Sequence, residues 1–192
     1  MIDLDLLNNT EQWEQHCRQQ QAKFGNQIQV VWNGPLAIDV DSLELQQQSH
    51  YADVHGTGVL AKQQVNPDAA ILERTVIDPS EKVHNYLREK CKLNIARVSM
   101  NLQQPGMFIP EHYDKNRTLI KHLVETDSNT DWLDVKRFFY FFEDQEPGQF
   151  IQMGKTQLQW KAGDLVQWPY YLSHATANAS YKPRKMLSIA GV

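Results

Sequence analysis

The sequence predicts a mainly β domain with flanking helices, a sandwich or barrel, on three observations. The second half holds a succession of short runs rich in Val, Ile, Phe, Tyr and Trp, punctuated by Gly, Pro, Asn and Asp. Crossover helices of the kind that join parallel strands are missing between those runs. The two strongest helical patterns, Thr10 to Phe24 and Asp78 to Cys91, both precede them.

The first helix is "TEQWEQHCRQQQAKF", with Trp13, Cys17 and Phe24 on its apolar side, Thr10 to cap it and Gly25 to stop it. "IQVVW" and "LAIDV" read as two strands around Asn33-Gly34-Pro35, and residues 41 to 70 as mostly loop. The second helix is expected to start at Asp78, with Pro79 at the first helical position, Glu81 completing a capping box, and Val83, Leu87 and Cys91 as its buried stripe. "LNIARVSMNL" follows as a strand, then the Pro105-Gly106 turn and "MFIPEHYD". "VKRFFYFF", "GQFIQM", "TQLQW", "DLVQW", "HATAN" and "RKMLSIAG" complete the β half.

With 192 residues and 41% hydrophobic content, one compact domain is expected, residues 1–94 supporting a core at 95–192. A net charge of −4 without a basic stripe argues against nucleic acid. No apolar run reaches the length of a membrane span, and "MIDLDLLNNTEQW" lacks the pattern of a signal peptide, so a cytoplasmic protein with no membrane partner is expected. Cys17 and Cys91 read as buried thiols.

A His-x-Asp triplet arises readily by chance in a chain with seven His. On an extended segment, however, residues two apart share a face, so His112 and Asp114 point the same way with Tyr113 opposite. A third ligand is best supplied by His174, at the start of a later strand. Two His and one carboxylate make the facial set of non-heme Fe(II) oxygenases, which leaves adjacent positions open. His16 and His84 lie on helix patterns, and His50, His55 and His122 lack partners at ligand spacing. Arg184, ten residues beyond His174, can grip a carboxylate with two charge-assisted bonds, and strand parity turns Arg184 inward and Lys185 outward.

With "IPEHYD" and "WKAGDLVQWPYYLSHATANASYKPRKMLSIAG", the C-terminal half resembles the Fe(II)/2-oxoglutarate-dependent dioxygenase superfamily over about residues 95 to 192. "HATANASYKPR" is similar to the aspartyl/asparaginyl β-hydroxylase branch. "ARVSMNLQQPGMFIPEHYD" and "VKRFFYFFEDQEPGQF" look like prolyl-hydroxylase-type members, including short ones from marine phages and bacteria. The resemblance implies a double-stranded β-helix of the jelly-roll or cupin type, with His112, Asp114 and His174 as iron ligands and Arg184 on the far carboxylate of 2-oxoglutarate. It implies hydroxylation of an unactivated C–H bond with release of succinate and CO2, with ascorbate as an accessory reductant. Asp114 favours hydroxylation over halogenation, since halogenating members carry a small residue there. The substrate is left open between an amino-acid side chain, peptidyl or free, and a small metabolite.

Met186 stands where several branches carry Ser, so a second bond to the co-substrate's carboxylate is expected from elsewhere, from Tyr140 or from a polar group on "RVSMN" such as Asn101. In "VKRFFYFF", Arg137, Phe139 and Phe141 share one face and Lys136, Phe138, Tyr140 and Phe142 the other, with neither marked as inward. Lys115 to Asp134 is expected to be a lid by position. Trp160, Trp168, Tyr170 and Tyr171 read as core, with Trp168 also placed to shape the substrate entrance. Two rival readings stay open: a non-catalytic or metal-storing cupin-like domain, which has no need of an inward Arg, and a structural or carbohydrate-binding jelly roll.

Overall fold

The computed structural model describes residues 4–36, 44–49, 71–78, 81–126 and 131–192. Helix α1 (Leu4–Asn8) leads into α2 (Thr10–Phe24), and strands β1 (Gln29–Asn33), β2 (Gln46–Ser49) and β3 (Ile71–Val76) precede α3 (Lys82–Cys91). Next come β4 (Ala96–Gln103), β5 (Phe108–His112), α4 (Arg117–Thr126), a 3-10 turn (Trp132–Asp134) and β6 (Lys136–Phe141). The chain ends with β7 (Gln149–Met153), β8 (Thr156–Gln157), β9 (Asp164–Pro169), β10 (His174–Asn178) and β11 (Arg184–Gly191).

All the strands pair antiparallel, in a seven-stranded sheet of order β1-β9-β6-β11-β4-β3-β2 and a four-stranded sheet of order β5-β10-β7-β8. From β4 onward the chain passes back and forth between the sheets, and only β7 and β8 are consecutive in one of them. That winding is a double-stranded β-helix, the jelly-roll arrangement of cupins. Its turns follow local chemistry: Gly163, at φ 85, occupies a backbone region that glycine enters without a Cβ penalty, and its N–H bonds the Phe141 carbonyl at 2.8 Å.

Side-chain alternation divides the core in two. Phe139, Phe141, Val166, Trp168, Met186 and Ala190 from the large sheet join Ile151 and Met153 from the small one in the inner cluster. Phe138, Tyr140, Leu165, Leu187 and Ile189, of opposite parity, pack with Leu87 and Cys91 of α3 in a second cluster. Phe141 is fully buried and stacks on Trp160 at 4.6 Å between ring centroids. Phe141→Ala is expected to cost about 3–5 kcal/mol, from lost transfer energy plus the cavity left behind, read as a fall in urea midpoint.

Several expectations are met and several are corrected. Helix α2 spans the expected residues and ends at Gly25, but its side-chain cap is Asn9, which accepts from the Gln12 N–H at 3.1 Å. Helix α3 begins later than expected, with Glu81 as an N-cap whose side chain makes no capping bond. The Asp78 carbonyl instead takes the Glu81 N–H at 3.0 Å, so a turn precedes the helix. The expected strand Leu36 to Val40 lies outside the described residues apart from Leu36, which is not in a strand. Within the expected loop 41 to 70, β2 forms and pairs with β3, while the remainder apart from residues 44 and 45 lies outside the described residues.

The segment expected to be a lid carries α4 instead. Leu119, Ile120 and Leu123 sit on one helical face and are buried in the inner core, so this stretch is a packed wall. Residues 127–130 lie outside the described residues. Both cysteines are buried and unpaired by disulfide, as expected. Burial pushes the Cys17 thiol up and that of Cys91 up to about 12, which leaves both inert.

Candidate metal centre

The site is built at the ends of two strands of the small sheet. His112 closes β5, His174 opens β10, and the two are direct partners in the antiparallel register. Their rings lie 4.1 Å apart between centroids. Asp114 follows two residues after β5 and turns back to them. Its Oδ1 is 3.5 Å from His112 Nε2 and its Oδ2 3.6 Å from His174 Nε2. One ligand atom from each of the three lies within 4.8 Å of the others, a spacing that suits capture of one cation.

The surroundings set the ligands' protonation. The Pro110 carbonyl lies 2.9 Å from His112 Nδ1, and because a carbonyl only accepts, Nδ1 carries a hydrogen and Nε2 is the ring nitrogen turned to Asp114. His174 packs against Trp168 at 4.7 Å and Phe139 at 6.4 Å between centroids. Burial, with His112 and Arg137 beside it, outweighs the pull of Asp114 and holds its imidazole well below the ordinary value. A neutral imidazole is the metal-binding form. Burial pushes the Asp114 carboxyl up, but Arg137, His174 and His112 together outweigh it and keep the group ionised well below the usual carboxylate range.

Arg137 is the residue that sequence reasoning left unassigned. It comes from the inner face of β6, is 4% exposed, and its Nη2 lies 2.5 Å from Asp114 Oδ2. Its Nη1 donates to Asn116 Oδ1 at 2.8 Å, and its guanidinium lies over Trp168 at 4.6 Å. Trp168 therefore backs His174 and Arg137 and is 1% exposed, which corrects its expected place at the substrate entrance. Trp160, Tyr170 and Tyr171 are buried in the core as read. His16 bonds the Tyr170 hydroxyl at 3.0 Å and stacks on Trp13, His84 is buried, and His122 is exposed on α4; His50 and His55 lie outside the described residues.

These shifts have a sign. An unfolded chain protonates the His174 imidazole near 6.5, whereas the folded chain does so only well below that value. Between those two values the unfolded state binds more protons, so stability is intact above about pH 6.5 and falls as acid is added. His16 and His84, lowered by burial, act in the same direction, and Asp114 adds a further loss below its unfolded value of 3.8. Melting temperatures of metal-free protein are expected to drop as pH falls just below 6.5, and His174→Gln to make that drop shallower. An identical slope in the variant would contradict this account.

Arg184 turns inward as expected and is 3% exposed. Its Nη1 donates to the Phe150 carbonyl at 2.9 Å, its Nη2 donates to Gln103 Oε1, and it faces the Trp160 ring at 5.7 Å. No carboxylate pairs with it among the described residues, and burial alone draws its pKa down to about 9. Lys185 has the opposite parity and is half-buried. Arg184 lines a space of about 10 Å³ with Asn101, Gln103, Ile109, Thr176 and Met186. A cavity of about 420 Å³ shares four of those residues, Asn101, Ile109, Thr176 and Met186, and also contains the triad and Arg137.

Of the two residues named as a second carboxylate partner, Tyr140 is excluded. It lies on the outer face, where its hydroxyl donates to the Gly34 carbonyl and accepts from the Leu36 N–H, each at 3.0 Å. Asn101 lines both spaces, and its Oδ1 is buried without a partner among the described residues.

No family model matches the sequence, and no curated protein is similar to it. Among solved structures, a prolyl-4-hydroxylase from Pseudomonas putida is similar at 16% identity and TM-score 0.47, over 99% of this chain and 88% of that one. A predicted oxalate decarboxylase from Thermotoga maritima is similar at 13% identity and TM-score 0.46, over 82% and 99%. A Cupin 2 conserved barrel domain protein from Salinispora arenicola is similar at 12% identity and TM-score 0.43, over 83% and 91%. The assignment of the fold rests on the strand order, and that of the site on its own residues. No helix among the described residues is long and apolar enough to cross a membrane.

Proposed function

We propose that this chain is an Fe(II)- and 2-oxoglutarate-dependent oxygenase. It hydroxylates an unactivated C–H bond of an amino-acid side chain, peptidyl or free, or of a small metabolite, and releases succinate and CO2. The supporting observation is a combination: a His/Asp/His triad at chelating distance, and a buried guanidinium with which no acid pairs among the described residues.

The donor set fits the metal, because two imidazole nitrogens and one ionised carboxylate suit Fe(II) and leave positions for other ligands. His112, Asp114 and His174 hold the ion, which supplies the redox chemistry that protein side chains lack. Arg137 keeps Asp114 ionised and aimed by a 2.5 Å contact. Trp168 and Phe139 limit the rotation of His174 and exclude water from its buried side. Arg184 balances the distal carboxylate of 2-oxoglutarate, and Asn101, through its side-chain amide, donates beside it.

One observation favours the rival reading of a non-catalytic metal-binding cupin-like domain. The space beside Arg184 is about 10 Å³, too small for a carboxylate, and Gln103 already occupies the guanidinium. Co-substrate binding therefore requires Gln103 to swing away from Arg184. The two readings part in an anaerobic titration of 2-oxoglutarate with and without Fe(II). The oxygenase is expected to bind it, and more tightly with the metal, because a keto-acid chelates. A metal-storing domain binds Fe(II) and leaves 2-oxoglutarate in solution.

A further inference from the structure

The larger cavity carries more positive charge than the triad and its co-substrate use. Among the described residues, Arg74, Arg97, Lys115, Arg117 and Arg137 line it, against one carboxylate, Asp114. Three of the five cations are already engaged. Arg137 holds Asp114 and Asn116, Lys115 donates to Thr10 Oγ1 at 2.9 Å, and Arg117 donates to the Leu7 carbonyl at 2.7 Å.

Arg74 and Arg97 are not engaged in that way. Arg74 comes from β3, opposite Asn101 of β4, and donates from Nη2 to the Ser99 hydroxyl at 2.7 Å. Its Nε is buried without a partner among the described residues. Arg97, paired through its backbone with β11, stands two residues before Ser99 and lines the same cavity, and its side chain makes no hydrogen bond or ion pair among the described residues. Two guanidinium groups thus share one wall with the Ser99 hydroxyl, and no acid pairs with either of them among the described residues. Burial first, and then the like charge of Arg97, lower the pKa of Arg74 against the opposing pull of Asp114. Arg184 is absent from this cavity's lining, so the pair is distinct from the position given to the co-substrate's carboxylate.

We propose that Arg74 and Arg97, with Ser99, form a second oxyanion clamp that holds the carboxylate or phosphate of a small acidic primary substrate. Planar guanidinium forks match either anion bidentately, and an oxyanion between them removes the repulsion and meets the unpartnered Nε. At about 420 Å³ the cavity belongs near the lower end of the roughly 300–1,000 Å³ range of small-molecule sites, which favours a free acid over a folded macromolecule. The term substrate rests on the oxygenase reading, whereas the anion clamp itself does not.

The test uses full-length, metal-free protein with nitrogen-labelled arginine, titrated with propionate, methyl phosphate and propionamide while the arginine Nε–H signals are followed. At least one anion is expected to shift the Arg74 signal and propionamide to leave it unmoved, and the anion that binds more tightly identifies the acid class. Arg97→Gln is expected to weaken that binding by roughly tenfold or more, with Arg97→Lys recovering part of the loss. Equal binding of propionamide, or undiminished anion binding in Arg97→Gln, would overturn the proposal. In Fe(II)-loaded protein, Arg97→Gln is expected to keep its affinity for 2-oxoglutarate. If it loses that affinity instead, the pair is the co-substrate's anchor and the proposal fails. If loaded wild type binds no 2-oxoglutarate, the oxygenase reading falls, and the metal-free titration still decides whether the clamp exists.

Discussion

His174→Ala is expected to lose Fe(II) affinity by more than the roughly 10–100-fold that removal of a residue supporting a ligand costs, because this change removes a ligand. In the proposed centre His174 supplies one of three donors, and His112 with Asp114 alone would hold a cation poorly. The loss has a second readout that needs no turnover. Fe(II) bound only by the folded state raises the melting temperature of wild type with the logarithm of free metal above its Kd, and that metal-dependent rise is expected to vanish in the variant. Truncation also leaves a void beside Trp168 and Phe139, so His174→Gln serves as the better-filled control. Both variants are expected to stay folded without metal and to ignore it. A full metal-induced rise in His174→Gln would remove His174 from the centre.

Replacement of Arg184 produces the second large effect, and a different one. Arg184→Ala is expected to weaken 2-oxoglutarate binding by roughly 10- to 150-fold, from the loss of about 1.5–3 kcal/mol in charge-assisted bonding, while Fe(II) affinity stays close to wild type. Arg184→Lys keeps the charge but not the fork, so an intermediate loss is expected. The side chain is also structural: it donates to Phe150 and Gln103, and its removal strands both acceptors in a buried place. A fall in stability is therefore expected alongside, and binding has to be compared at temperatures where each variant is fully folded. Equal loss of metal and co-substrate would mean that Arg184 acts by supporting the centre as a whole.

The β half was legible because its strands alternate. In β11, Arg184, Met186, Ser188 and Ala190 share one parity, and Leu187 and Ile189 share the other and bury in the outer cluster. The expected strands "HATAN" and "RKMLSIAG" coincide with β10 and β11 for that reason. Pairing His112 and Asp114 with His174 was likewise within reach, and the structure brings the three together although Asp114 lies beyond the end of β5.

Arg137 was not legible, because β6 is aromatic on both faces and parity alone does not say which is inward. The face is decided by Asp114, which is distant in sequence. Arg74 and Arg97 were hidden for a related reason: a charge in a half-polar strand such as "ILERTV", where Glu73 stands beside Arg74, reads as an exposed one. A usable signal was nevertheless present in β4, where Arg97, Ser99, Asn101 and Gln103 alternate with Val98, Met100 and Leu102. An inward face that polar marks a strand that lines a cavity. The lid expectation fails because position beside a site does not decide burial, whereas the helical spacing of Leu119, Ile120 and Leu123 does.

The proposed oxygenase requires the triad and Arg184 to serve one reaction. Its most direct test is succinate formation by purified wild type supplied with Fe(II), ascorbate, oxygen and 2-oxoglutarate, with His174→Ala run in parallel. Succinate is expected from wild type, slowly and uncoupled when no primary substrate is added, and none from the variant. Equal turnover in the two proteins, or no succinate from wild type shown to be loaded with both Fe(II) and 2-oxoglutarate, would contradict it.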